Sequence, residues 1–441
     1  MTKRSILDWR LNRLSDRREV MTRLGATALG LISPRIAIAE GRQSLRLQAV
    51  ADAIALDPAQ PRTQVTSLQG PTPAIRVKRG GELDLLLRNG LPVPLALSLH
   101  GIDGAGSAEP LARCPMVAAG TEETFTVPLR RAGTFLCDVR LLGTATRPLP
   151  LIIEDDDTAQ VDRDEVFLVE DWRLRPDRTT VAPGIAAGDT VAIYTVNGRL
   201  APEIALRANQ RFRFRFINGC QRSVIALKIE GHDVRVMALD GAPAEPFPAR
   251  NGALVLAPGG RADVHIDATA APDSNASILL HDGKDARPIA RLVTSREPPV
   301  RPAPLPPAPA LPSNDLPAQL DLKGALRVDL ALSGSEAGWV MPANFGTAAA
   351  PAFRAKHGRT VVLAITNPGS VAAVLHLHGH HFRLLDRLDD GWKPFWLDTL
   401  AVEPGQTQRI AFAAEYSGRW LIESMASEWA ALRFVRWYSV E

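Results

Sequence analysis

The chain is poor in sulfur and in aromatic rings. Among 441 residues there are three cysteines, six methionines and three tyrosines, and aromatic residues amount to 5%. Cys114, Cys137 and Cys220 stand far apart with no C-x-x-C spacing, which excludes a zinc ribbon and a thioredoxin-type redox pair. One disulfide in an oxidising compartment and three buried thiols both stay open. So little methionine excludes a Met-rich copper-handling segment. Charge of one sign is missing as well. With 51 Lys and Arg against 48 Asp and Glu, no nucleic-acid partner is expected. No apolar run is long enough to span a bilayer, so no transmembrane segment is expected. There is no G-x-S-x-G, no P-loop and no H-E-x-x-H. The paired glycines of RGGELD (79–84) and APGGRAD (257–263) fall in hairpin turns and cradle no phosphate. Long helical periodicity is also scarce.

What is present is strand. SLRLQAV, LDLLLRN, RFRFRFIN, ALVLA, TVVLAITN and RIAFAA are short alternating runs bounded by Pro, Gly, Asn and Asp. Two long segments also repeat. LLLRNGLPVPLALSLHG (85–101) aligns without a gap on LAITNPGSVAAVLHLHG (363–379), and residues 119–140 align on 404–425. A looser third copy runs through FINGCQRSVIALKIEGHDV and LAPGGRADVHID. A repeat this long means repeated domains. The spacing predicts domains at 40–157, 163–297 and 318–441, with a stiff, Pro-rich linker at 298–317.

The first 39 residues read differently. They carry eight Lys or Arg and three acids, and without them the chain holds 43 basic and 45 acidic residues. Arg17 and Arg18 precede the short apolar run LGATALGLI, and AIA at 37–39 offers small residues for a signal peptidase. This layout predicts a twin-arginine export signal over 1–39 and a periplasmic destination.

VLHLHGHHF (374–382) concentrates four of the nine histidines, and His376 and His378 alternate so as to leave one strand face together. With LHG at 99–101, RCPM around Cys114, VNG…P (196–202), FING, DG…LAPGGRADV, DTLAVEPGQT and GRWL, these pieces resemble the three-domain multicopper oxidases. The resemblance covers essentially all of the chain after the signal. It implies an all-β fold of three cupredoxin-like Greek-key β-sandwich domains.

It also implies where copper would bind. In that family four His-x-His pairs hold a three-copper cluster between domains one and three. Here those pairs fall on Ser98 and His100, Asp138 and Arg140, His376 and His378, and Glu423 and Met425. The blue-copper positions fall on Ser424, Ala373, Trp429 and Phe434, which supply no thiolate and no imidazole.

The resemblance thus implies an exported protein without a catalytic residue or cofactor, its copper cluster replaced by a polar network between domains one and three. An Arg140–Glu423 ion pair beside His378 is expected there. The alternative is a copper-binding oxidoreductase with a partial metal site built from His100, His376 and His378, with Asp138 and Glu423. His380 and His381 are expected at the domain surface, and His232, His265, His281 and His357 as structural or solvated. Within the wider family the chain is similar to a copper-free cell-division protein of the septal ring, of the FtsP type. That likeness implies a binding or scaffold role toward a periplasmic or envelope protein partner.

Overall fold

The computed structural model describes residues 37–39, 42–56, 61–112, 116–141, 147–155, 160–332, 338–346, 349–386 and 391–441, without the side chains of 37–39, 140 and 141. The export-signal reading, and with it Arg17 and Arg18, falls mostly outside these residues; Ala37–Ala39 forms a short strand against Arg42–Ser44. Cys114 also lies outside them, while Cys137 and Cys220 are buried free thiols.

The described residues hold no α-helix. Their strands form six sheets, which pack in pairs as three sandwiches, each around its own apolar core. Mixed pairing gives the Greek-key character. In the first sandwich Arg42–Ile54 runs parallel to Glu82–Asn89, which runs antiparallel to Glu122–Pro128. The third repeats this with Leu326–Ala331, Thr360–Thr366 and Thr407–Ala413. The segment 298–317 is neither helix nor strand. It is strapped down by the guanidinium of Arg211 on the carbonyls of Leu305 and Pro306, and by the amide of Asn314 on Ala132 and Gly241.

One asparagine recurs at the end of an inner strand in each sandwich. Asn89 donates to the carbonyls of Val93 and Val117, Asn218 to Ser223 and Leu256, and Asn367 to Val371 and Val402. Each also accepts the amide of the residue two positions on. The buried side chain thereby satisfies backbone groups that a corner would leave unpaired.

Four strands position the site, because they are buried on both faces. Most outer strands alternate buried and exposed, as Arg42–Ile54 does. Leu95–His100 is buried at all six positions and Ala373–Leu377 at all five. In the first, Leu95, Leu97 and Leu99 enter the sandwich core, worth about 1.5–3 kcal/mol each. Period-two geometry then turns Ser98 and His100 toward the neighbouring domain. In the second, Ala373, Leu375 and Leu377 enter the core and His376 faces outward. Gly133–Leu141 and Gly418–Ala426 complete the four by pairing Ser98 with Asp138 and His376 with Glu423. Gly101 and Gly379, the glycines of the two LHG segments, have φ of 85° and 78°. A Cβ on Gly101 would strike the guanidinium of Arg261, and one on Gly379 the indole of Trp420.

Candidate functional site

The outward faces of these strands meet between the first and third sandwiches. His100 stacks on His376 with ring centroids 4.1 Å apart and planes 27° from parallel. His376 meets the edge of His378 at 4.6 Å. Asp138, Glu423, Met425 and Arg433 join His100 and His376 around a cavity of about 30 Å³, close to the volume of one water. The five residues singled out from the sequence are therefore brought together at one place.

Their chemistry differs from ring to ring. His376 Nδ1 lies 3.0 Å from Thr399 Oγ1, whose hydroxyl donates to Asp398 Oδ1 at 2.6 Å. The hydroxyl oxygen can then only accept, so Nδ1 carries the proton and Nε2 is left buried without a hydrogen bond. Burial pushes the His376 pKa down to about 4, and the ring is neutral. His378 has a carboxylate at each end. Nδ1 is 3.1 Å from Glu109 Oε1, and Nε2 is 3.3 Å from Glu423 Oε1, an ion-pair contact without hydrogen-bond geometry. Burial works against the charged ring, but the two carboxylates outweigh it and raise the pKa to about 10. The carboxylates are fixed in turn, Glu109 by the Leu421 amide at 2.8 Å and Glu423 by Arg433 at 2.8 Å. His378 is thus a buried imidazolium bridging the first and third domains.

Beside it lies a second charged group that also enlists the middle domain. Arg261 and Asp398 form a forked pair at 2.9 and 2.6 Å. Burial would raise the Asp398 pKa, but Arg261 holds it well below the carboxylate range. Burial and the Asp398 charge push neighbouring Asp240 upward.

The expectation that His380 and His381 face the domain surface fails for His380, which lies against Phe412, Trp420 and Tyr438 of its own core. His381 stands at the third domain's surface and is buried there by the other two domains. His380 Nδ1 donates to the Tyr438 hydroxyl at 2.7 Å, and that hydroxyl donates to the His378 carbonyl, also at 2.7 Å. His381 lies 2.9 Å from Asp103 and donates from Nε2 to the Asp240 carbonyl at 2.8 Å. The positive φ at Gly379 ends the strand, and beyond it His380 turns into the core while His381 faces the first and second domains. The Arg140 side chain lies outside the described residues; the second half of that expectation, His378 against Glu423, holds.

Elsewhere, Ser424 donates to the Leu332 carbonyl at 2.9 Å, and Trp429 lies under the Arg173 guanidinium at 4.7 Å. Among the described residues no group of three or more His, Cys, Asp or Glu is arranged to hold a metal ion. Sequence reasoning missed Glu109, Asp398, Arg261 and Arg433. Asp398 and Arg261 sit inside quoted motifs, where the only available signal was a charge in an otherwise apolar turn.

Two family models described as multicopper oxidase match residues 155–290 and 319–441, together more than half of the chain. Laccase-1 of Thanatephorus cucumeris is 25% identical over 263 residues, 52% of this chain and 45% of the laccase. Laccase-3 of the same organism gives 25% over 264 residues and 46% of its length. The matched region thus spans about half of these curated relatives. A multi-copper oxidase from Pseudomonas thermotolerans superposes with a TM-score of 0.76 at 23% identity, over 91% of this chain and 99% of that one. Lac15 from a marine microbial metagenome gives 0.73 at 25% identity, over 90% and 99%.

Proposed function

Because this chain belongs to the multicopper oxidase family, we propose that it is an exported member in which the copper sites are lost and the fold serves as a non-enzymatic binding or scaffold protein. The observation that carries this reading is His378. Both of its nitrogens face carboxylates, and each carboxylate has a further donor on it. A copper ligand needs a free in-plane lone pair on one ring nitrogen. At the blue-copper positions a serine hydroxyl bonded to backbone and an indole covered by a guanidinium offer no soft ligand. The residues present do not fit the copper centres.

The proposed partner is a protein of the periplasm or envelope, the cell-division machinery among them. No helix of the described residues is long and apolar enough to cross a membrane. The test is metal content. The exported protein, purified without chelator and dialysed against copper, should hold well under one copper per chain and lack the thiolate–copper charge-transfer band. Stoichiometric copper with that band would refute the reading and favour a copper-binding oxidoreductase.

A further inference from the structure

The linker between the second and third domains has a surface of its own. Over residues 301–312, every position but Ala310 is a proline or directly precedes one. Both placements keep the backbone near polyproline II, a rod that turns once every three residues. Among the described residues no backbone–backbone hydrogen bond involves 301–317, and polyproline II makes none internally. Burial follows the same period. From 302 to 314 the covered residues are Leu305, Ala308, Leu311 and Asn314, and all the others are exposed. One edge of a three-sided rod therefore lies on the protein and two face solvent. One outer edge carries Pro306, Pro309 and Pro312, and the other carries Pro304 and Pro307.

The rod is held at both ends. The Asn209 amide donates to the Arg301 carbonyl at 2.8 Å, and Arg211 donates to the Leu305 and Pro306 carbonyls at 3.0 and 2.8 Å. At the far end Arg131 Nε donates to the Asn314 carbonyl at 2.9 Å, and the Asn314 amide donates to Ala132 and Gly241. Between these anchors, among the described residues, nothing donates to the carbonyls of 307–313. No charged residue occurs from 302 to 314. A ridge about 30 Å long, apolar and with open acceptors, thus faces outward.

We propose that the outer edges of this strap are the docking surface for a protein partner, and that the partner reads them with an aromatic-lined groove. The proposal rests on the scaffold reading for the existence of a partner and adds where it binds and by what chemistry. Aromatic grooves take prolines at P-x-x-P spacing from a segment that is already extended. Pro304 with Pro307, and Pro306 with Pro309 and Pro312, supply that spacing on adjacent edges. The open carbonyls suit the N–H and O–H tips of tryptophan and tyrosine. The anchors hold the rod extended before binding, which lowers the cost of ordering it. Charge plays no part in the recognition. Arg301, at the end of the rod, is already paired with Asp162.

The test is photo-crosslinking of the full-length chain in the organism it comes from, with p-benzoylphenylalanine in place of Pro309. Val255, 69% exposed on the middle domain, is the control position. Position 309 should give an adduct with another protein that position 255 does not. That protein, purified, should bind the chain with little dependence on salt, and a peptide of residues 301–313 should compete. Pro307→Ala combined with Pro309→Ala should weaken binding by at least about tenfold, because two groove-filling side chains are lost. Both prolines are exposed and the peptide competition needs no variant, so misfolding cannot mask the result. No adduct at 309, an adduct only with a second copy of this chain, failure of the peptide to compete, or unchanged binding by the double variant would each overturn the proposal. An adduct at 255 alone would keep the scaffold reading and overturn this surface. Stoichiometric copper in a chain that still gives the 309 adduct would refute the scaffold reading and leave the surface standing.

Discussion

Replacing Arg261 by Met removes the group that joins all three domains at one atom cluster. The residue is fully buried, and all five of its side-chain N–H donors are used. Nε donates to the Thr134 carbonyl of the first domain at 3.2 Å. Nη1 and Nη2 donate to the Gly259 and Asp240 carbonyls of the second, both at 2.8 Å. The remaining two fork onto Asp398 of the third at 2.9 and 2.6 Å. The Met variant leaves the buried Asp398 carboxylate without its counter-ion, beside the carboxylate of Asp240. Losing one partner of a buried pair costs about 3–5 kcal/mol, and three carbonyls lose a donor in addition.

The assay is denaturant unfolding of Arg261→Met, Asp398→Asn and the double variant. Each single change strands one charge and the double change strands neither, so the double loss should fall short of the sum by about 1–3 kcal/mol. The pH dependence has a definite sign. In the Met variant the folded-state pKa of the Asp398–Asp240 pair lies above its unfolded value. The penalty is therefore full at neutral pH and eases as pH falls through the raised folded value. Losses additive to within about 0.5 kcal/mol, or a deficit that grows on acidification, would refute the reasoning.

Three further outcomes are expected. Glu423→Gln removes the carboxylate shared by His378 and Arg433 and should lower stability by about 3 kcal/mol; a loss under about 1 kcal/mol would mean a wet cleft that screens the pair. His265, buried among Arg211, Arg213, Asp263 and Asp267, has its pKa pushed down to about 4, by burial first and then by the two arginines. The unfolded chain takes up that proton from about pH 6.5 downward while the folded chain stays neutral, so stability falls by up to about 3 kcal/mol between pH 6.5 and 4. His265→Leu should flatten that slope in denaturation measured across the window, and an unchanged slope would assign it to other groups. Replacing Arg17 and Arg18 together by Lys should abolish periplasmic accumulation, measured by fractionation, because the export receptor reads the guanidinium pair.

The fold was legible because its signals are local. Alternation marked the strands, and the runs RNG, TNP and FINGC already contained Asn89, Asn367 and Asn218, whose side chains close three equivalent corners. The site was legible only in part. His376 and His378 share a strand face because their spacing is two, and that much can be read directly. His380 and His381 could not be read this way, since the period ends where Gly379 takes a positive φ of 78°.

The charge partners lie in a different class. Glu109 reaches Leu421 across 312 residues and Arg261 reaches Asp398 across 137. No local pattern encodes which surfaces of the repeated domains will meet. The repeat itself makes the point: it equates His100 with His378, since both precede the glycine of an LHG segment. The folded chain treats them differently, stacking His100 on a neutral ring and clamping His378 between two carboxylates. One of those carboxylates, Glu423, stands opposite His376 in the third domain's own sheet. The other, Glu109, comes from the loop that follows LHG in the first domain. The asymmetry between equivalent histidines therefore arises from the loop of one copy reaching the strand of the other, a contact that exists only after both domains have folded and docked.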